Sequence, residues 1–134
     1  MADRELYDEG MAIRREVLGD EYVDRAMAAA DDFGRPLQEF VTEWCWGAIW
    51  GRDGIDRRTR SLVNLGMIAA LNRPHELRVH LRGALRNGCT REEIREVLLQ
   101  AAVYCGAPAG VDAFRVAREV FAEDATDAPA TTER

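Results

Sequence analysis

Residues 56–87 constrain the fold more than any other stretch of the chain. Residues 61–71 (SLVNLGMIAAL) have almost no polar side, so a helix here is expected to be buried nearly all round. Only Asn72 and Arg73 separate it from a second helix, so the two must fold back on one another or cross sharply. Asp56 is placed to cap the first helix. Pro74 suits the opening turn of the second, where its missing N–H costs nothing. In that second helix Leu77, Leu81, Ala84 and Leu85 form a core stripe, Arg78, Arg82 and Arg86 take the solvent side, and Gly88 is a left-handed stop.

The remaining sequence carries the same period. A moderately amphipathic helix is expected over 3–18, and a second, capped by Asp20, to about Ala30. After a turn at 33–36, apolar residues at Leu37, Phe40, Val41, Trp44, Gly47 and Ala48 predict a helix from Pro36 to about Trp50. Thr90 and Glu93 form a capping box that opens a helix to Tyr104, and a last helix is expected over 109–122. No strand-like alternation occurs. The fold class is all-α, with six or seven helices in one domain over residues 1–123 and a disordered polar tail at 124–134. Several helices are apolar on more faces than one small bundle can bury, which predicts association into a homo-oligomer.

Composition excludes several functions. A net charge of −6 argues against non-specific nucleic-acid binding. No window approaches a membrane span, and the charged N-terminus lacks the apolar run of a secretory signal, so a cytoplasmic location is expected. All 18 basic residues are Arg, which excludes Schiff-base chemistry on a lysine. Cys45, Cys89 and Cys105 form no C-x-x-C pair, so neither a zinc site nor a dithiol is indicated, and buried free thiols are expected.

Three groups of residues are candidates for chemistry. Glu76 and His80 lie four residues apart on one helix face, where a carboxylate can orient an imidazole and raise its pKa. On spacing alone this is a weak signal; a structural histidine or a surface ion pair is the simpler reading. Glu43, Trp44 and Trp46 fall in a Trp-rich run in which Trp44 and Trp46 point to different faces. No more than one of these two packs in the core, the other being a candidate for a cleft or interface, and Glu43 is a carboxyl open to a raised pKa by desolvation. Arg57, Arg58, Arg60 and Arg73 are either solvated charges or the source of a carboxylate-binding pair.

The run 56–62 (DRRTRSL), Glu76-Leu77-Arg78-Val79-His80, the stretch 82–94 (RGALRNGCTREEI), 96–100 (EVLLQ) and 104–108 (YCGAP), with 43–47 (EWCWG) upstream, closely resemble the carboxymuconolactone decarboxylase family over roughly residues 5–123. The wider superfamily includes alkylhydroperoxidase D-like proteins, which use a C-x-x-C followed by His. Setting His80 on that His puts Arg73 and Glu76 where the two cysteines would be, so this chain cannot run a dithiol peroxidase reaction.

The resemblance implies an alkylhydroperoxidase D-like helical fold, a hexamer or trimer, and cofactor-free, metal-free loss of CO2 from a dicarboxylate lactone, 4-carboxymuconolactone, in protocatechuate degradation. It further implies that His80, oriented by Glu76, donates to the lactone oxygen or protonates the ring carbon. Arg73 or Arg60 would bind a carboxylate. Glu43, Trp44 and Trp46 would line the pocket, Glu43 as a further proton carrier. Another lactone or keto-acid enzyme of the superfamily, a peroxide-related protein and a non-catalytic helical assembly are the alternatives.

Overall fold

The computed structural model describes residues 4–127, which are helical throughout apart from short connections. The order is α1 (Arg4–Leu18), α2 (Asp20–Ala29), α3 (Arg35–Phe40), a π-helical segment (Val41–Ile49), α4 (Arg57–Leu71), α5 (Pro74–Arg86), α6 (Arg91–Cys105) and α7 (Ala107–Asp127). Asp3, the expected start of the first helix, and residues 128–134 of the expected tail lie outside the described residues. The last helix begins two residues earlier than its sequence period predicts and continues to Asp127, into the stretch expected to be tail.

The helix signals of the second half operate as read. The Asp56 carboxylate accepts the Thr59 N–H at 2.7 Å. Thr90 and Glu93 exchange both bonds of the capping box, at 2.9 and 3.0 Å. Asn72 closes α4 in the left-handed region at φ 56°, which reverses the chain within two residues and lays α5 back against α4. Asn87 Nδ2 then donates to Ser61 Oγ at 2.9 Å, tying the far end of α5 to the start of α4. Asp20 is not a cap: Gly19 stands there at φ 91°, and Asp20 instead pairs with Arg15 at 3.2 Å.

Two cores share α5. Leu77, Leu81 and Ala84 pack with Leu65 of α4, Ile94 and Leu98 of α6, and Val116 and Val120 of α7. Val79, on the opposite face, packs with Ile13 and Val17 of α1, Val23 of α2, and Trp46 and Trp50. On the remaining surface Arg78 and Arg82 are paired to Glu119 and Glu123 of α7, not simply solvated. His80 therefore sits on a helix held from two sides.

The predicted helix over 36–50 forms with a different period. From Val41 its bonds widen, as where the Trp50 N–H reaches back five residues to the Cys45 carbonyl at 2.9 Å. Thr42, Trp46 and Trp50 are buried at a spacing of four, the widened turn bringing them onto one side. Two glycines make this possible. A Cβ on Gly10 would lie 1.9 Å from the Thr42 carbonyl oxygen, and one on Gly47 would lie 2.6 Å from that of Leu6. The π segment is thus pressed against α1 at backbone contact.

Two burial expectations fail in the single chain. In α4, Val63, Met67 and Leu71 are half exposed or more, because no other element of the described chain covers that side. Among the thiols only Cys89 is buried, donating to the Arg58 carbonyl at 3.4 Å; Cys45 and Cys105 are exposed. No helix among the described residues is long and apolar enough to cross a membrane.

Candidate active site

A cavity of about 380 Å³ opens between α1, α2, the α3–π unit, α4 and α5. Its wall includes Arg14, Tyr22, Gln38, Cys45, Trp46, Trp50, Asn64, Glu76 and His80. The second core forms its floor, since Trp46, Trp50 and Val79 belong to both. The π segment turns the Trp46 ring toward α5, where it lies parallel to the His80 imidazole, 7° between planes and 6.1 Å between centroids. A tilted Trp50 backs Trp46 at 4.8 Å.

Burial pushes the His80 imidazole below its ordinary 6.5, with the Glu76 carboxylate opposing. The expectation of a raised value is therefore corrected: desolvation outweighs the charge one turn away. Nor does Glu76 orient the ring. Glu76 is exposed at the cavity mouth and has no hydrogen bond or ion pair with His80 among the described residues; the group at the ring is Asn64, whose Nδ2 lies 3.1 Å from His80 Nδ1. Four-residue spacing brings two side chains to one face, but a glutamate in the first turn of a helix turns to solvent unless something holds it inward.

Arg14 is the residue the sequence did not reveal. It is 5% exposed, and its guanidinium donates to Thr42 Oγ1 at 3.1 Å and to Met27 Sδ at 3.8 Å. No carboxylate pairs with it among the described residues, and burial, the largest effect, lowers its pKa. Arg14 Nε and Gln38 Oε1 are both buried with no hydrogen-bond partner among the described residues, on two residues of the cavity wall. A buried cation with no counter-ion among the described residues, beside a cavity of this size, is chemically suited to receive an anion. Burial also raises the Cys45 thiol above its usual value, which leaves it protonated near neutrality.

The other expected site residues lie elsewhere. Arg73 is exposed and outside the cavity: as N-cap of α5, at φ −115° and ψ 83°, it is not in the helix, so its seven-residue spacing from His80 does not place it over His80. Arg60 is also outside, with its guanidinium on the Arg52 carbonyl at 3.4 Å. Arg57 and Arg58 are paired with Glu16 and Glu93. Glu43 is 6% exposed, one turn before Gly47, and does not line the cavity. Trp44 is 51% exposed and also outside it. Trp44 and Trp46 point to different faces, as their spacing predicts, and the widened turn carries Glu43 away from Trp46 as well.

The Carboxymuconolactone decarboxylase family model matches residues 35–119, a span that includes the π segment, Asn64 and His80. The chain belongs to this family. A relative named "Nitrosuccinic acid decarboxylase npaB", from Metarhizium robertsii (strain ARSEF 23 / ATCC MYA-3075), is 50% identical over 118 residues, covering 88% of this chain and 82% of the relative. The 4-carboxymuconolactone decarboxylase of Acinetobacter baylyi (strain ATCC 33305 / BD413 / ADP1) is 41% identical over 121 residues, covering 90% of each. Arg14 precedes the span matched by the family model, so this buried cation of the cavity wall comes from outside it.

Proposed function

We propose that the chain is a decarboxylase of 4-carboxymuconolactone, forming the 3-oxoadipate enol-lactone and CO2. The observation that carries this reading is the meeting of a buried, carboxylate-free Arg14 with His80 in one cavity of a decarboxylase-family chain. The substrate is a dianion. Arg14 takes the carboxylate that is retained, and the apolar floor of Trp46, Trp50 and Val79 receives the one that leaves, where loss as neutral CO2 is favoured. The C–C bond breaks, its electron pair moves through the unsaturated ring to the lactone carbonyl oxygen, and one proton is added to ring carbon. The product keeps a single carboxylate. His80 faces the oxygen on which charge develops, a role worth about 3–4 kcal/mol.

The 50% identity to a nitrosuccinic acid decarboxylase favours a second reading, because that substrate poses the same problem. It too has two carboxylates, and loss of one leaves an electron pair that a nitro group holds on its oxygens. Purified protein, with no added metal or cofactor, is given each acid in turn and CO2 release is followed. Turnover of the lactone at a kcat/KM well above that of nitrosuccinate is expected. The reverse order transfers the assignment to the second substrate, and turnover of neither overturns both.

Association of copies is part of this reading. Val63, Met67 and Leu71 recur at every fourth residue of α4, and Val63 and Met67 line an open groove with the exposed Tyr104 of α6. Light scattering should return a multiple of the 15.1 kDa chain mass, and a single-chain mass would refute it. The setting we assign is the cytoplasm, where three unpaired thiols are at home.

A further inference from the structure

We infer that Asn64 is the positioning residue of the site: it holds His80 as the Nε2–H tautomer, making the imidazole a hydrogen-bond donor to the substrate oxyanion and not the acid that protonates carbon. The inference rests on the cavity being the decarboxylation site, but its main test does not.

Asn64 is a polar residue in an otherwise apolar stretch of α4, and with Ile68 one turn later it faces the cavity. Its Nδ2 lies 3.1 Å from His80 Nδ1. With the amide NH2 turned to the ring, Nδ1 offers the lone pair and the ring proton sits on Nε2; the opposite amide orientation would present Oδ1 and call for a proton on Nδ1, so the inference includes the orientation of the amide. An imidazolium has no lone pair and cannot accept from the NH2. The parallel Trp46 ring fixes the plane of the imidazole, leaving the choice of edge to Asn64.

The other charged or titratable groups of the cavity are Glu76 on the same helix, Arg14 on α1, Tyr22 on α2 and Cys45 on the π segment. Of these only Glu76 favours a cationic ring, and it stands exposed at the mouth, whereas the Arg14 guanidinium already supplies the buried positive charge. A neutral Nε2–H donor stabilises an oxyanion without giving up its proton. The proton that ends on carbon therefore comes from another group or from water entering past Glu76.

The test is the 15N spectrum of histidine-labelled, ligand-free protein near pH 7. The exposed His75 is replaced by Gln so that His80 alone reports. The expected spectrum is that of a neutral ring protonated at Nε2. A ring protonated at Nδ1, or an imidazolium, overturns the inference whatever the substrate proves to be. In Asn64→Asp a carboxylate replaces the donor, so Nδ1 must carry the proton, the ring is drawn toward imidazolium, and kcat should fall at least tenfold with KM little changed. Asn64→Leu should populate both tautomers. If Asn64 only fills space, both variants lose stability while the His80 spectrum and the pH profile of kcat stay as in the parent.

Discussion

Replacing Arg14 by Met separates a binding group from a structural one, because the two roles predict opposite signs. The guanidinium is 5% exposed and has Thr42 Oγ1 and Met27 Sδ as partners but no carboxylate. A charged group buried without its counter-ion is a cost to the fold, and well-packed apolar replacements for buried charges are neutral to about 4 kcal/mol stabilising. Against this, the buried Thr42 hydroxyl loses a hydrogen bond worth about 1 kcal/mol. Met is unbranched and close in reach, so little cavity is left. The net effect on the folded chain then lies between a loss of about 1 kcal/mol and a gain of about 3 kcal/mol, each kcal/mol moving Tm by roughly 3–5 °C at this chain length. The same substitution removes a charge-assisted bond to the retained carboxylate, about 1.5–3 kcal/mol. That corresponds to a KM raised roughly 10- to 150-fold, with kcat changed less. Thermal melts and steady-state decarboxylation on one preparation supply both numbers. A variant that melts more than about 10 °C lower and retains its KM would show that Arg14 is a structural cation and that the anion seat is elsewhere.

The remaining predictions concern the ring, its pH response and the helix contact behind it. His80→Ala should lower kcat by about 10²–10³ with helix content unchanged by circular dichroism; a kcat near the parent's removes His80 from the reaction. Since burial holds His80 below 6.5, the unfolded chain binds a proton in the window just under 6.5 that the folded chain does not. The His80 contribution to stability therefore rises with pH through that window and is complete above it. Urea melts of a His80→Gln variant should show a flatter slope there, and an unchanged slope would refute the assignment. By the same sign, Glu76→Gln removes the charge that opposes burial, so the acid limb of kcat should move to lower pH; a move to higher pH contradicts the electrostatics. Gly10→Ala puts a methyl group 1.9 Å from the Thr42 carbonyl oxygen, and should cost about 3 kcal/mol or more by calorimetry together with loss of activity.

Local chemistry was legible wherever it was self-contained. Asp56, Pro74, Gly88 and the Thr90–Glu93 box act within a turn or two of their own position, so the limits of α4 and α5 and the start of α6 follow from the residues alone. His80 was legible as a candidate through its four-residue spacing from Glu76 and the family resemblance, and the absent C-x-x-C ruled out a dithiol reaction by composition. Trp46 was named, but its stacking on His80 was not, since that contact joins two segments 34 residues apart. The signal that could have found Asn64 was present, a lone amide in an apolar helix. Arg14 offered none, lying among other charges in an amphipathic helix where an arginine normally faces water.

What the chain determines by itself is thus the all-α class, the α4–α5 reversal and the histidine, each set by interactions between residues near in sequence. Which partners surround that histidine was decided only by tertiary structure. Arg14 and His80 are 66 residues apart and meet because Val79 and Gly83 let α5 close on α1, while Gly10 and Gly47 let a π-helical segment press in beside them. Backbone contacts at that range leave no periodic trace in a sequence. They nonetheless put Asn64 at the His80 ring where Glu76 was expected, and Arg14 in the cavity wall where Arg73 or Arg60 was expected, since burial depends on what covers a side chain and not on the face of the helix that carries it.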